Sequence, residues 1–349
     1  MIEYRILVKD HNNIAIGEFP VFRNLKFSKR LNNYGECSFE VPVSDPAIRS
    51  LVALRRFSVE IYRRVNQSYL GTLVWAGEQV VRNGVLTSDG NDWAEIICYD
   101  WFEQLLHRRT PAFIRYDQID AGMIAWSLID HTQNDSSGHG DMGITMGNIQ
   151  STMNRDREYE DYKVGEAISN LSNVISGFDF EITNDKKFNV YSVKGQDKTE
   201  TVIFDLSRNL TGANIKEDFV NIVNRAIVKG QSIDDDVVRV TRQNLDFQAT
   251  NGLREGVYSA DNVVDPQTLS DIGDSALRKY QLPLISIDIA PAPNAPTIVD
   301  FSVGDLIWIT IQKGIYNINK DYRVFEYTVS FDENNVETIG LTLGDFTNA

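Results

Sequence analysis

The sequence predicts a mainly β protein with α+β insertions: two small antiparallel β-barrels related by an internal pseudo-repeat, plus two inserted or peripheral α+β modules. Three observations lead there. The last stretch of about fifty residues alternates apolar and polar side chains with period two. A stretch near the start has the same order of hairpin, connection and meander. Helical periodicity is confined to the segments between them.

Met1 to Asn13 reads as a strand and turn. Asn24 to Pro42 reads as a hairpin, with Asn32-Asn33-Tyr34-Gly35 as its turn and Cys37, Phe39 and Val41 as the apolar face of the return strand. A short helix follows, with Asp45 as cap and Pro46 at the first helical position, where a missing N–H costs nothing. Phe57 to Arg63, Gly71 to Val81 and Trp93 to Tyr99 then form a meander. Trp101, Phe102, Leu105 and Leu106 share one face of a helix over Asp100 to Arg109, whose basic end suits the negative pole.

Pro111 opens a different region. Ile124, Ala125, Leu128 and Ile129 give an apolar stripe to a helix over Asp120 to His131. A polar, Gly-rich loop follows from Thr132 to Thr152. Val164, Ile168, Leu171 and Ile175 mark a second helix, over Lys163 to Gly177, with the glycine as its stop. Phe178 to Thr183 and Phe188 to Val193 pair about the turn Asn184 to Lys187.

A second hairpin is expected over Asn214 to Gly230. A long excursion then carries the acidic run Asp234-Asp235-Asp236, a strand to Thr241, a helix capped by Asp265-Pro266 through Tyr280, and a strand over Leu284 to Ile289. Pro291, Pro293 and Pro296 make a stiff connector to the closing meander. There Ile307, Ile309 and Ile311, then Phe325, Tyr327, Val329 and Phe331, then Ile339, Leu341 and Leu343 each line one face. Lys313-Gly314, Asn319-Lys320-Asp321 and Asp332 to Asn335 are read as its turns. The expected organisation is a first barrel at 1–110, an inserted module at 111–200, a second barrel from 201–230 and 301–349, and a peripheral insertion at 231–300.

At 349 residues the chain has room for several cores, and its 42% hydrophobic and 24% charged residues are ordinary for a globular protein. No run reaches the roughly 20 apolar residues that span a bilayer, and the N-terminus lacks the pattern of a secretory signal. Two cysteines, Cys37 and Cys98, read as buried thiols in strands rather than a disulfide framework. A net charge of −15 excludes a protein that grips DNA through its phosphates, which needs a basic footprint.

Sites for chemistry are sparse. His131, Asp135, His139 and Asp141 have metal-ligating side chains, but on a Gly-Ser loop without the fixed spacing of a zinc site. Asp234 to Asp236 lack the ligand spacing and glycine of a calcium loop. Glu158, Glu160 and Asp161 have the residue types of a glycosidase carboxylate pair but sit in a charged run, REYEDY. Cys98 and His107 have those of a nucleophile and base, yet Cys98 alternates inward with Ile96. Nucleophile-elbow, phosphate-loop and HExxH motifs are missing. The sequence therefore assigns no catalytic, cofactor or metal residues.

Several stretches together resemble one family. They are LKFSKRLNNYGECSFEVPVSDPAIRSL at the start, then VEIYRR, LGTLVWAGEQV and YDWFEQLLHRR, later NIVNRAIVKG and ALRKYQ, and the closing VGDLIWITI, YRVFEYTVSF and ETIGLTL. In order and turn pattern they resemble phage tail-hub proteins: the central baseplate hub of contractile tails and the hub module of tail-associated proteins in long non-contractile tails. The resemblance covers nearly the whole chain and brings no catalytic residues with it.

It implies a structural virion protein of the tail, made in the host cytoplasm, that forms a homotrimer. Two similar barrels per chain would give a ring of six, adapting a sixfold tail tube or distal tail ring to a threefold tip, fibre or spike. A tape-measure protein is a further implied partner, DNA would pass without specific binding, and no membrane is bound. An acidic lumen would repel the passing genome, and Glu40, Glu60 and Glu326 on polar strand faces are the candidate lining residues. The competing expectations are a tail-associated wall-degrading enzyme, a host-glycan-binding module, or a hexameric distal tail protein with one barrel per chain. The first is disfavoured because the chain closes six residues after Leu343, and the second because Trp75, Trp93 and Trp308 fall inside strands.

Overall fold

The computed structural model describes residues 2–344 except 11–12, 54–55, 66–70, 89, 91, 135–137, 139, 175, 234–235, 261–262, 264, 282–283, 293–294 and 332–336. Within the first hundred residues lie β1 (Ile2–Lys9), β2 (Ala15–Phe19), β3 (Arg23–Arg30), β4 (Glu36–Pro42), α1 (Pro46–Val52), β5 (Ser58–Val65), β6 (Thr72–Val85) and β7 (Trp93–Tyr99). They pair antiparallel in the order β3-β4-β7-β6-β5-β1-β2. Alternation sends Cys37, Phe39 and Val41 of β4 and Ala94, Ile96 and Cys98 of β7 to the buried face. Asp45 caps α1 by accepting the Ala47 N–H at 2.8 Å.

The following segment holds α2 (Glu103–Leu106), β8 (Ile114–Asp120), α3 (Ala121–Gln133), β9 (Thr145–Ile149), β10 (Asn154–Tyr159), α4 (Val164–Ser172), β11 (Asp179–Ile182) and β12 (Lys187–Tyr191). Helices α3 and α4 cover a small sheet, β11-β12-β9, and bury Ile124, Leu128, Ile168 and Leu171 against Phe180 and Phe188. Asp120 caps α3 through the Met123 N–H. The helices expected over Asp100 to Arg109 and Lys163 to Gly177 are shorter, and Ile175 lies outside the described residues. Strands β8 to β10 fall in stretches whose alternation is too polar to read as strands.

The rest comprises β13 (Ile203–Asp205), β14 (Leu210–Asp218), β15 (Arg225–Ile233), β16 (Asp236–Gln243), α5 (Leu245–Asn251), β17 (Glu255–Ser259), α6 (Pro266–Tyr280), β18 (Leu284–Pro291), β19 (Leu306–Lys313), β20 (Tyr316–Phe331) and β21 (Glu337–Gly344). Strands β14-β18-β21-β20-β19 run in that order, with β13 parallel on β19. The hairpin expected over Asn214 to Gly230 does not form. Strand β14 pairs with β18, whereas β15 turns away to pair with β16 and β17 in a separate sheet backed by α6. The excursion is thus inserted in the turn of a β14–β18 hairpin, a long-range pairing that local sequence does not reveal.

Two further corrections concern the closing meander. Asn319-Lys320-Asp321 is no turn, because β20 runs unbroken for 16 residues along β19 and then β21. A β-bulge between Val324 and Glu326 also resets the alternation, so Val324, Tyr327 and Val329 are buried while Phe325 is half-buried. Past that bulge the outer edge of β20 pairs with β3, Glu326 opposite Arg30 through Ser330 opposite Lys26. This join makes one 13-stranded sheet of both halves, and no sheet among the described residues closes into a barrel. One hydrophobic core spans both halves, with Phe27, Phe39, Trp75 and Ile96 in the same cluster as Ile287, Ile309, Val329 and Ile339. Each such side chain contributes about 1.5–3 kcal/mol on burial.

Candidate channel and docking surfaces

The face of the large sheet opposite the core carries a ladder of ion pairs. Arg23 meets Glu40 at 2.7 Å, Lys9 meets Glu60 at 2.5 Å and Arg30 meets Glu326 at 2.9 Å. Arg5–Glu18, Arg64–Glu3 and Arg56–Glu78 extend the ladder. The three candidate lining residues therefore share this face, each beside a cation. Asn24 and Arg23 donate to the Glu40 carboxylate and hold it below the usual range. Tyr62 donates to Glu60 at 2.8 Å. The sequence marks these glutamates by their outward alternation but not their partners, which come from neighbouring strands.

Two buried charge clusters escaped the sequence reading. In the first, Arg63 spans Glu337 at 3.0 and 3.2 Å while Tyr4 donates to the same carboxylate at 2.7 Å. Both partners are almost fully shielded, with side chains 3% and 5% exposed. The pair ties β5 to the last strand, across the two halves. Its signal was Arg63 at an inward position of the alternation Val59, Ile61, Arg63.

The second cluster fastens the inserted segment to the sheet. Arg323 of β20 donates to Asp179 of β11 and to the Lys194 carbonyl. The Lys194 ammonium sits 2.9 Å from Glu181. Burial would raise the Glu181 carboxyl, but Lys194 outweighs it and holds it below the ordinary range. Nearby, burial lowers the Lys29 ammonium and raises the Asp100 carboxyl, which accepts the Gly35 and Phe102 N–H groups. Lys29, Asp100, Phe180, Glu181, Lys194 and Tyr327 line a cavity of about 290 Å³ at this seam. Beside it Gly195 and Gly304, both at positive φ, approach so closely that a Cβ on Gly195 would overlap the Gly304 carbonyl.

The residues weighed for chemistry are scattered. His131 lies in the last turn of α3, and Asp141 accepts the Gly143 N–H; Asp135 and His139 lie outside the described residues, as do Asp234 and Asp235. No group of three metal-ligating side chains occurs among the described residues. Glu158 pairs with Arg115 at 3.0 Å. Cys98 is buried opposite Cys37 across β4 and β7, and burial pushes both thiols up, while His107 contacts Glu103 instead. No helix of the described residues is long and apolar enough to cross a membrane.

This architecture is similar to that of solved phage tail proteins. Three solved structures match almost end to end: the tail protein from Neisseria meningitidis MC58, the 43 kDa tail protein of prophage MuSo2 from Shewanella oneidensis, and prophage tail protein gp18 from Listeria monocytogenes. The first has a TM-score of 0.67 at 12% identity, covering 98% of this chain and 97% of the other. The second has 0.65 at 9%, with 97% and 98% covered. The third has 0.56 at 12%, with 97% and 94% covered. At such identities the likeness is one of fold. No protein-family model and no curated protein sequence matches the chain.

Proposed function

We propose that this chain is a structural virion protein, a trimeric tail or baseplate hub. Three copies, each with two similar β units, form a ring of six units that joins a sixfold tail tube or distal tail ring to a threefold tip, fibre or spike. The observation that carries this reading is a repeated strand order. Strands β3-β4-β7-β6-β5 succeed one another as β14-β18-β21-β20-β19 do, with the same connectivity in both sets. In each set the long fourth strand bulges one residue before its outward edge is freed, at Val80 in β6 and at Phe325 in β20. Shared fold with phage tail proteins supports the same reading.

The corresponding division is 1–110, 111–200, 201–230 with 301–349, and 231–300, with β18 hydrogen-bonded into the second β unit between β14 and β21. A tape-measure protein and the passing genome are the partners inside the ring, and the role is mechanical rather than catalytic. The ion-paired face bearing Glu40, Glu60 and Glu326 lines the channel; with its anions locally compensated, the excess charge of −15 on the chain supplies a weakly repulsive wall. Mass measurement in solution with class averages of the particle tests the proposal. It expects three chains around an open hole. A monomer, or a ring of six chains, would refute it.

A further inference from the structure

Building on the trimeric-ring reading, we infer that successive copies are joined by strand addition: residues 81–85 of β6 in one chain pair antiparallel with residues 216–220 of the next. The template is the join inside the chain. Strand β20 pairs with β19 over its first half and with β21 over its second, which leaves an outer edge that β3 fills at 326–330. Strand β6 is built alike. It pairs with β5 over residues 72–78 and with β7 over 78–85. Beyond the Gln79 N–H bond to the Phe57 carbonyl, no described strand pairs with the outer edge of β6 from 81 to 85, and none pairs with the outer edge of β14, the terminal strand of the sheet. Each unit thus has one strand end that receives and one hairpin strand that is received. Only one of the two possible joins is made within a chain.

Register follows from the bulges. Aligning Val80 with Phe325 puts Val81 in the place of Glu326 and Val85 in that of Ser330. Cys37 opposite Cys98 in the first unit corresponds to Ile285 opposite Leu343 in the second. Lys216, opposite Ser286, then stands where Lys26 stands opposite Ser38, and Val220 where Arg30 stands. Carrying over the pairs Glu326–Arg30 and Ser330–Lys26 gives Val81 against Val220 and Val85 against Lys216 of the next copy.

The side chains at these two edges fit this use. Val81, Val85 and Leu86 are 38%, 59% and 75% exposed, and Phe219 and Val220 are 53% and 83% exposed. Open edges with apolar side chains are what a lone soluble sheet avoids, because they template association. The internal join places an ion pair, Arg30–Glu326, at the position where the external one places two valines. Each is matched within itself and mismatched with the other, so a β3 strand is a poor guest for β6 and β14 a poor guest for β20. Val220 lies in a turn two residues past β14, so pairing lengthens that strand on assembly.

The test uses the full chain. Val85→Cys with Lys216→Cys should close an interchain disulfide and give a covalent ladder ending at three chains; Cys37 and Cys98 are buried and do not compete. Val81→Glu and Val220→Arg should each weaken association at least tenfold, reading as one chain by mass with an unchanged far-UV spectrum. The double variant should restore the ring by copying the internal Glu326–Arg30 pair. A trimer that survives both single substitutions and forms no Val85–Lys216 link would overturn this pairing while leaving the hub reading intact. A wild-type chain that stays monomeric at all concentrations and forms no link would overturn both.

Discussion

Phe325 is the residue at which simple alternation fails. Counted by twos from Phe331 it belongs inside, yet the bulge at that point leaves it half-buried and hands the core to Val324 and Tyr327. Val329, fully buried where β20 meets β3, is the better probe of the join. Val329→Asp should abolish soluble expression or lower stability by several kcal/mol, since an unpaired carboxylate would be buried. Phe325→Asp should cost much less, and denaturant midpoints of the two variants compare them directly. The Arg63–Glu337 pair gives a second residue-scale outcome. Glu337→Gln strands a buried guanidinium and should cost about 3–5 kcal/mol. Arg63→Met with Glu337→Leu should recover most of that, read from the same unfolding curves. Periodicity marks Arg63 as inward but reveals neither its partner nor the bulge at Phe325, because each depends on which strand lies alongside.

At the scale of elements, helix starts were legible because they are local. Asp45, Asp120 and Asp265 cap α1, α3 and α6 from positions evident in the sequence. Asp265→Ala should destabilise α6 by about 1 kcal/mol, measurable as faster amide exchange along that helix. Strand pairing was less legible. The partner of β14 lies more than sixty residues away, and β8 to β10 carry too little apolar alternation to declare themselves. The Glu181–Lys194 pair should make the seam of the inserted segment pH-sensitive. A carboxyl held below its ordinary value stabilises the fold above that value, and the contribution is lost as pH falls through the folded value. The stability gap between wild type and Glu181→Gln should therefore be full at pH 7 and close below about pH 4, where ordinary glutamates protonate. A gap unchanged at pH 3 would remove Glu181 from the seam's energetics.

For the whole molecule, the two halves share one core and one sheet, which predicts that they unfold as a unit rather than as two barrels. A single cooperative transition is expected for the large sheet, and a stepwise loss of its two halves would contradict it. The proposed lumen gives a second outcome at this scale. Wild-type rings should not retard DNA fragments at physiological salt, whereas Glu40→Lys, Glu60→Lys and Glu326→Lys combined should bind them in a gel-shift assay. That triple change also breaks three ion pairs, so a thermal melt accompanies it.

By itself the sequence determined the mainly β class with its α+β segments and the positions of most strands and helix caps. These are encoded in residues a few positions apart, where side-chain period and turn chemistry act directly. Only the tertiary structure decided that the two halves of the chain fuse through β20 and β3 into one open sheet, that the second excursion interrupts a hairpin, and that buried charges lock the parts together. Those outcomes depend on which edge finds a partner, and an edge's hydrogen-bonding groups are the same backbone whatever the sequence. The choice among them is made by bulges, ion pairs and burial that exist only once distant strands have met.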